Sequence, residues 1–409
     1  MSEGAQRVAF VYDPRMARFE LHPDHPFKPL RVELTRSLLT SAGLLADPEV
    51  VPPTPLTDDD LLAVHDRAYV EAVKALSAGG PTTGAARWGL GTADNPIFAG
   101  MHELVRLVCA GTVTALDAVA SGAATRALNL GGGLHHALQD RASGFCVYND
   151  LALAIRRAVD RYGLRVAYVD LDAHHGDGVQ WLFYEDPNVM TISLHESGEY
   201  LFPGTGHVYE TGKGPGRGLS VNVPLEPYTD DESYLAAFDA VAPRALRAFA
   251  PDVIVLQAGA DSHHFDPLAD LSQTLEGMRQ AYLRVVALAD ELTGGRLVAT
   301  GGGGYDPYRT VPRAWAHLWA AMTGRELPAE LPPAWAETWR GRLPAGTTLP
   351  DRALDGPSDF APSRNQVVRD LFYHREQVAR RNAVVVGRVV AALDEIWQDT
   401  GLGRGVTSR

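Results

Sequence analysis

The stretch RVAYVDLDAHHGDG, residues 165–178, decides how the chain is read. Residues 166–169 form a short apolar run of β-branched and aromatic side chains, the signature of a buried strand. The run stops at Asp170, and Asp172, His174, His175 and Asp177 follow at once. Side chains alternate along an extended segment, so Asp170, Asp172 and His174 share a face if that form persists. Two carboxylates and an imidazole then stand at the carboxyl end of a buried strand. Left bare there, such charges cost on the order of several kcal/mol. A bound cation removes that cost. The alternative is a charged loop open to water, and the flanking sequence decides between them.

Outward from this strand, apolar runs alternate with helical periodicity. Strands are expected at 7–12, 127–130, 165–171, 189–194, 219–223, 253–257 and 296–300. Helices are expected at 30–42, 61–76, 101–120, 150–162, 233–249 and 274–292. Alternation of this kind with wholly apolar strands indicates the α/β class, a mostly parallel central sheet flanked by helices. No repeat or low-complexity linker interrupts it, so residues 1–325 are expected to form a single domain. After Gly324 the texture changes. Residues 326–362 are rich in Pro and Trp and are expected to wrap the surface. Residues 366–397 place Val368, Leu371, Val378, Val385, Val389 and Leu393 at helical spacing, with Arg369, Arg375, Arg380 and Arg381 on other faces. Residues 326–409 are thus a C-terminal extension ending in a long helix, packed on the domain or on another subunit.

The unusual motifs share one position: each directly follows an expected strand. GGGLHH (131–136) follows 127–130, DLDAHHGD (170–177) follows 166–169, and Leu194-His195 ends the next strand. AGADSHH (258–264) follows 253–257, and GGGGY (301–305) follows 296–300. In open parallel sheets ligands bind outside the carboxyl ends of the strands. Asp172, His174 and Asp261 are candidate ligands of one divalent ion, and so hard a donor set suits Fe(II) as well as zinc. Such an ion acidifies water and polarises a carbonyl. His135 and His136 are candidate general base and acid, with Asp170 and Asp177 as the groups that fix their tautomers. Tyr305 can donate to a developing oxyanion. Asp266 and Asp270 are read as turn or capping residues. The polar loop HPDHPFKP (22–29) is a place where a scaffold carries binding residues.

Composition narrows the classes. The 409 residues are 45% hydrophobic and 21% charged, with a formal net charge of −13, which argues against non-specific nucleic-acid binding. Cys109 and Cys146 are the only cysteines and form no CxxC pair, so a thiolate zinc site and a disulfide framework are excluded. No run reaches the roughly 18 apolar residues of a membrane span, and the N-terminus lacks a signal-peptide pattern. A cytoplasmic protein with no membrane partner is expected.

At these residues the sequence resembles the histone deacetylase superfamily, and within it the bacterial acetoin-utilisation branch. The resemblance covers most of residues 7–320. It rests on GGGLHHALQDRASGFCVYND (131–150), VDLDAHHGDGVQ (169–180), SLHESGEYLFPGTG (193–206), QAGADSHHFDPLADLS (257–272) and GGGGY (301–305). It implies an arginase/deacetylase-like fold and a metal-dependent amidohydrolase that removes acetyl from the ε-amine of lysine. By family position Asp172, His174 and Asp261 hold Zn2+ or Fe2+, His135 pairs with Asp170, and His136 pairs with Asp177. Tyr305 polarises the acetyl carbonyl. Phe145 and Phe202 wall a tunnel for the lysine stem, with Gly144, Leu268 and Gly303 beside them. Asp94 sits on the rim. Asp170, Asp172, His174, Ser193 and Leu194 match a structural K+ site, and Arg31 matches a residue behind the active site. Leu134 replaces a tryptophan of the nuclear enzymes, which alters the inner cavity. Pro267 and Tyr308 replace arginines that bind an inositol phosphate, so no inositol-phosphate corepressor is expected.

The expected function is hydrolysis of N-ε-acetyl-lysine in proteins or peptides, on a metabolic enzyme such as acetyl-CoA synthetase. An acetylpolyamine amidohydrolase uses the same chemistry. An arginase-like ureohydrolase needs two metal ions and a further carboxylate, where this chain has His263. A non-catalytic binder would not need Tyr305 and both His–Asp pairs together.

Overall fold

The computed structural model describes residues 7–17, 21–356 and 375–402. Its strands are β1 (Val8–Val11), β2 (Val50–Val51), β3 (Arg126–Asn129), β4 (Val166–Asp170), β5 (Val189–Glu196), β6 (Ser220–Leu225), β7 (Val253–Gln257) and β8 (Leu297–Thr300). They form one eight-stranded sheet in the order β2-β1-β3-β8-β7-β4-β5-β6, with every pairing parallel. β8 joins β3 to β7 and so bridges two halves made earlier in the chain.

The helices are α1 (Leu30–Ser41), α2 (Asp58–Leu61), α3 (Arg67–Ser77), α4 (Met101–Ala120), α5 (Asp150–Tyr162), α6 (Asp177–Leu182), α7 (Asp231–Phe249), α8 (Leu275–Thr293), α9 (Val311–Thr323), α10 (Pro333–Trp339) and α11 (Arg375–Thr400). Alternation along the strands divides the core in two. Val169, Leu128 and Leu256 face a cluster with residues of α1, α7, α8 and α9, whereas Tyr168, Ala127 and Val255 face one built with α3, α4 and α5. Residues of β3 to β8 are buried on both faces, which is why the strands are mostly apolar.

Local chemistry sets the helix ends. Asn149 accepts from the Ala152 N–H to start α5, and Gly163, at φ +65°, ends it. The region expected as one helix at 61–76 is divided. Asp66 donates its N–H to the Gln139 carbonyl and His65 bonds the Leu138 carbonyl, so tertiary partners break the helix there. β2, α6, α9 and α10 are further elements. α9 is buried along nearly its whole length, with Arg313 and His317 one turn apart among its apolar residues.

The extension packs on the domain. Trp335 and Trp339 of α10 are buried and donate to Leu34 O and Ser37 Oγ. α11 lies on α7 and β6, burying Val378, Val389, Leu393 and Trp397. Its Asn382 accepts from Glu226 N–H and donates to Thr229 and Ser233. Val368, Arg369 and Leu371 lie outside the described residues.

Candidate active site

β4 and β7 are register neighbours, Asp170 opposite Gln257, so the loops that leave their carboxyl ends meet. The first brings Asp172 and His174, the second Asp261. All three are buried, and their ligand atoms lie within 4.8 Å of one another. His174 Nδ1 is 2.9 Å from Asp261 Oδ2 and 3.3 Å from Asp172 Oδ1. Amides aim both acids. Asp172 Oδ2 accepts from Gln257 Nε2 at 2.6 Å and Gly303 N–H at 2.7 Å, and Asp261 Oδ1 accepts from Ala173 N–H at 2.8 Å. Burial, and then the charge of Asp172, pushes the Asp261 carboxyl up to about 6. Two hard oxygens and one imidazole converging in a buried, charge-starved site fit a single divalent ion.

The glycines beneath this site have steric reasons. A Cβ on Gly303 would lie 2.0 Å from Asp261 Oδ2. Gly303 therefore packs closely against the ligand acids, beside the tunnel position where the resemblance set it. Gly304 takes φ +126°, a region glycine alone enters freely. Arg31, fully buried, donates to the Gly302 and Gly304 carbonyls at 2.5 and 2.6 Å and clamps the run from behind.

The expected histidine pairs are formed. His135 Nδ1 is 2.9 Å from Asp170 Oδ2, and His136 Nδ1 is 2.7 Å from Asp177 Oδ1. The two Nε2 atoms are 3.1 Å apart, so one donates to the other. Burial alone would lower His135, but Asp170 and Asp172 outweigh it and raise its pKa to about 9. Burial, with His135 beside it, pushes His136 down to about 4 against the pull of Asp177.

A cavity of about 230 Å³ leads down to these groups. Phe145, Phe202, Gly144, Leu201, Leu268 and Tyr305 wall it, Asp94 stands at its rim, and His136 and His174 close its base. The rings pack edge to face, Phe145 on Tyr305 at 5.7 Å and Phe202 on His136 at 5.1 Å. A Cβ on Gly144 would meet His136 Cδ2 at 2.4 Å. Tyr305 donates its N–H to Asp266 Oδ2 at 2.7 Å, and burial raises its hydroxyl pKa well above the usual value. At the matched potassium position, β4 and β5 set Asp170 beside Ser193, followed by Leu194, and Ser193 Oγ lies 2.8 Å from His195 Nδ1. Leu134 is buried and Pro267 exposed.

Several positioning residues carry no motif. Gln257 orients Asp172. Tyr168 donates to Asp170 at 2.6 Å. Asp150 accepts from the Gly133 and Leu134 amides. Asp266, read as a turn or capping residue, accepts the Leu268 N–H in a turn and also fixes Tyr305. In the HPDHPFKP loop, His25 accepts the Phe27 N–H and donates to the Asp94 carbonyl at 3.2 Å, while its ring meets Phe145 at 4.6 Å. The proline- and histidine-rich pattern of that loop was the one available signal.

A parallel α/β sheet with this Asp-His-Asp set and two His–Asp pairs at its carboxyl edge defines a class of hydrolase. A sequence model of the histone deacetylase domain matches residues 25–322, and the chain belongs to the histone deacetylase family, the deacetylase hydrolases. Within it the chain falls in the acetoin-utilisation branch. It is 43% identical over 392 residues to acetoin utilization protein AcuC of Bacillus subtilis strain 168, covering 96% of this chain and 98% of the relative. It is 40% identical over 362 residues to AcuC of Staphylococcus aureus strain MRSA252, covering 88% and 92%. Among solved structures, an HDAC homologue from Aquifex aeolicus superposes with a TM-score of 0.78 at 27% identity, over 94% of this chain and 100% of that one. A structure of an HDAC homologue complexed with SAHA gives 0.77 at 28%, with the same coverage.

Proposed function

We propose that the protein is a lysine deacetylase that hydrolyses the acetyl amide of N-ε-acetyl-lysine in a polypeptide, giving lysine and acetate. The observation that carries this is the narrow aromatic-walled cavity ending on Asp172, His174, Asp261 and the His136–Asp177 pair. An uncharged acyl-lysine stem suits an apolar slot. Zn2+ or Fe2+, held by Asp172, His174 and Asp261, supplies an acidified water and a polarised acyl oxygen when bound. The chain's own groups do the rest. Tyr305, kept protonated by burial, donates to the acyl oxygen as negative charge develops there. The His135–His136 pair, each ring fixed at Nδ1 by its aspartate, takes up the proton of water. That proton passes to the amine nitrogen as the C–N bond breaks.

The relatives' name supports a metabolic target such as acetyl-CoA synthetase. Two buried free thiols, Cys109 and Cys146, fit a reducing compartment and support a cytoplasmic location. Among the described residues no helix is long and apolar enough to cross a membrane. The test uses full-length protein stripped of metal and reloaded with one equivalent of zinc or iron. An acetyl-lysine peptide should be turned over and acetylspermidine left. Tyr305→Phe should lower kcat by about 100- to 1,000-fold with little change in KM. Near-wild-type turnover by that variant would sink the oxyanion role, and turnover of the polyamine alone would move the substrate class.

A further inference from the structure

His25 is a buried histidine at the tunnel mouth that takes no part in the proton transfers. Both of its ring nitrogens are committed. Nδ1 accepts the Phe27 N–H at 3.1 Å, so Nε2 carries the proton it donates to the Asp94 carbonyl at 3.2 Å. That pattern needs the neutral ring, and burial lowers the His25 pKa against the pull of Asp94. The ring is also anchored from behind. Phe27 is buried, and the Arg31 guanidinium lies 4.4 Å over its ring while clamping the Gly302 and Gly304 carbonyls. The loop thus ties the mouth of the tunnel to the wall behind the site.

Two mouth residues meet on His25. Asp94 is exposed and belongs to a turn closed by the Gly91 N–H on the Asn95 carbonyl at 2.9 Å. Phe145 sits in a tighter turn. Ser143 and Cys146 exchange backbone hydrogen bonds at 3.0 and 2.8 Å, and the two residues between them, Gly144 and Phe145, take φ +50° and +69°. Positive φ at both central residues is the type I′ pattern. Glycine enters it freely, whereas a bulky side chain there is strained and persists only when its surroundings hold it. The His25 ring packs edge-on to Phe145 at 4.6 Å, with Tyr305 at 5.7 Å from the same ring.

We propose that His25 is the positioning residue of the tunnel mouth, fixing Asp94 and Phe145 together so that the mouth binds the backbone of a polypeptide as well as its acyl-lysine stem. The proposal rests on the deacetylase reading and states which part of the substrate the rim recognises. A lysine stem in the tunnel leaves its own backbone amides at the rim, where Asp94 stands. A carboxylate accepts an N–H there in a charge-assisted bond. A carboxylate already held in place loses less freedom on binding than one that must be ordered first. His25 makes and breaks no bond, so it acts on binding and not on the chemical step.

The test uses one acetyl-lysine peptide and two copies of it, one N-methylated at the acetyl-lysine amide and the other at the next amide. Full-length, metal-loaded wild type, His25→Ala, His25→Gln and His25→Asn are assayed for kcat and KM. His25→Ala should raise KM about tenfold and keep kcat within about threefold. One of the two N-methyl groups should raise the wild-type KM about tenfold, and that ratio should fall to within about twofold in His25→Ala. The ratio is taken within each enzyme, so a general loss of active protein cancels. Gln can set an N–H where Nε2 donates to Asp94, and should restore most of the ratio. Asn can replace only the acceptor for Phe27, and should not. An undiminished ratio in His25→Ala, a fall in kcat with KM unchanged, rescue by Asn and not Gln, or a wild type indifferent to both N-methyl groups would each overturn the proposal and leave the deacetylase reading standing. Failure of the wild type to turn over any peptide, with acetylspermidine consumed, would remove both.

Discussion

Two clusters of histidine and aspartate lie close together in the chain and behave differently. One is Asp172, His174 and Asp261; the other is His263, His264 and Asp355, and in both the ligand atoms gather within 4.8 Å. The second already contains its positive charge. Arg313, fully buried, holds Nη2 3.6 Å from Asp355 Oδ1. Asp355 Oδ2 accepts from His263 Nε2 at 3.2 Å and from the Leu275 N–H at 2.8 Å, at the positive end of α8. Burial alone would raise the Asp355 carboxyl, but these partners hold it well below the usual range. Asp261, lacking such company, is pushed up. The residue types are alike; what differs is whether the fold supplies the compensating charge or leaves it to an ion. The second cluster is a structural joint that ties the extension to the loop carrying Asp261.

The comparison breaks most directly on metal content. The protein should hold one equivalent of zinc or iron after dialysis, not two. Asp261→Asn should lose it and lower kcat/KM by about a thousandfold or more. A second equivalent that disappears on Asp355→Ala would end the distinction. A smaller effect should follow from Asp355→Ala in stability. Leaving Arg313 and His263 without their buried acid should cost about 3 kcal/mol in urea unfolding, with metal content unchanged. A loss below about 1 kcal/mol would mean that the joint carries little.

The smallest effect concerns a third buried imidazole. His65, like His263, donates from one ring nitrogen and accepts at the other: Nδ1–H to the Leu138 carbonyl, Nε2 from the Asn149 N–H. Burial pushes its pKa down to about 4. The unfolded chain binds the proton first, so this contribution is intact above pH 6.5 and declines as pH falls toward 4. At pH 5 it should have weakened the fold by about 2 kcal/mol. His65→Gln should flatten that part of the stability–pH curve, and an unchanged slope would refute the assignment.

Much of this was readable in the chain. The β4 strand, its acid-rich exit and the matching exits of β3, β7 and β8 gave the parallel sheet and its working edge, because buried strands and the polar groups that end them are local in sequence. Some elements were not readable. α9 starts at a Val-Pro step directly behind the glycine loop and is missing from the expected helices, β2 is two residues long, and the break at His65 depends on carbonyls far along the chain. Gln257, Asp150 and Asp266 look like ordinary strand-end and turn residues until the fold brings the site to them.

The position of β8 has a consequence for synthesis. His135 and His136 follow β3, in the half of the sheet that holds β1 and β2. Asp172, His174 and Asp261 follow β4 and β7, in the other half. The strand between them leaves the ribosome last, followed at once by Gly301 to Tyr305. A growing chain can pair β4 with β7 and bring Asp172, His174 and Asp261 together before β8 sets the histidines and Tyr305 in register with them, and the Gly303 N–H reaches Asp172 only at that last step. Translation arrested at successive lengths, with ion retention and protease resistance followed together, would reveal that order.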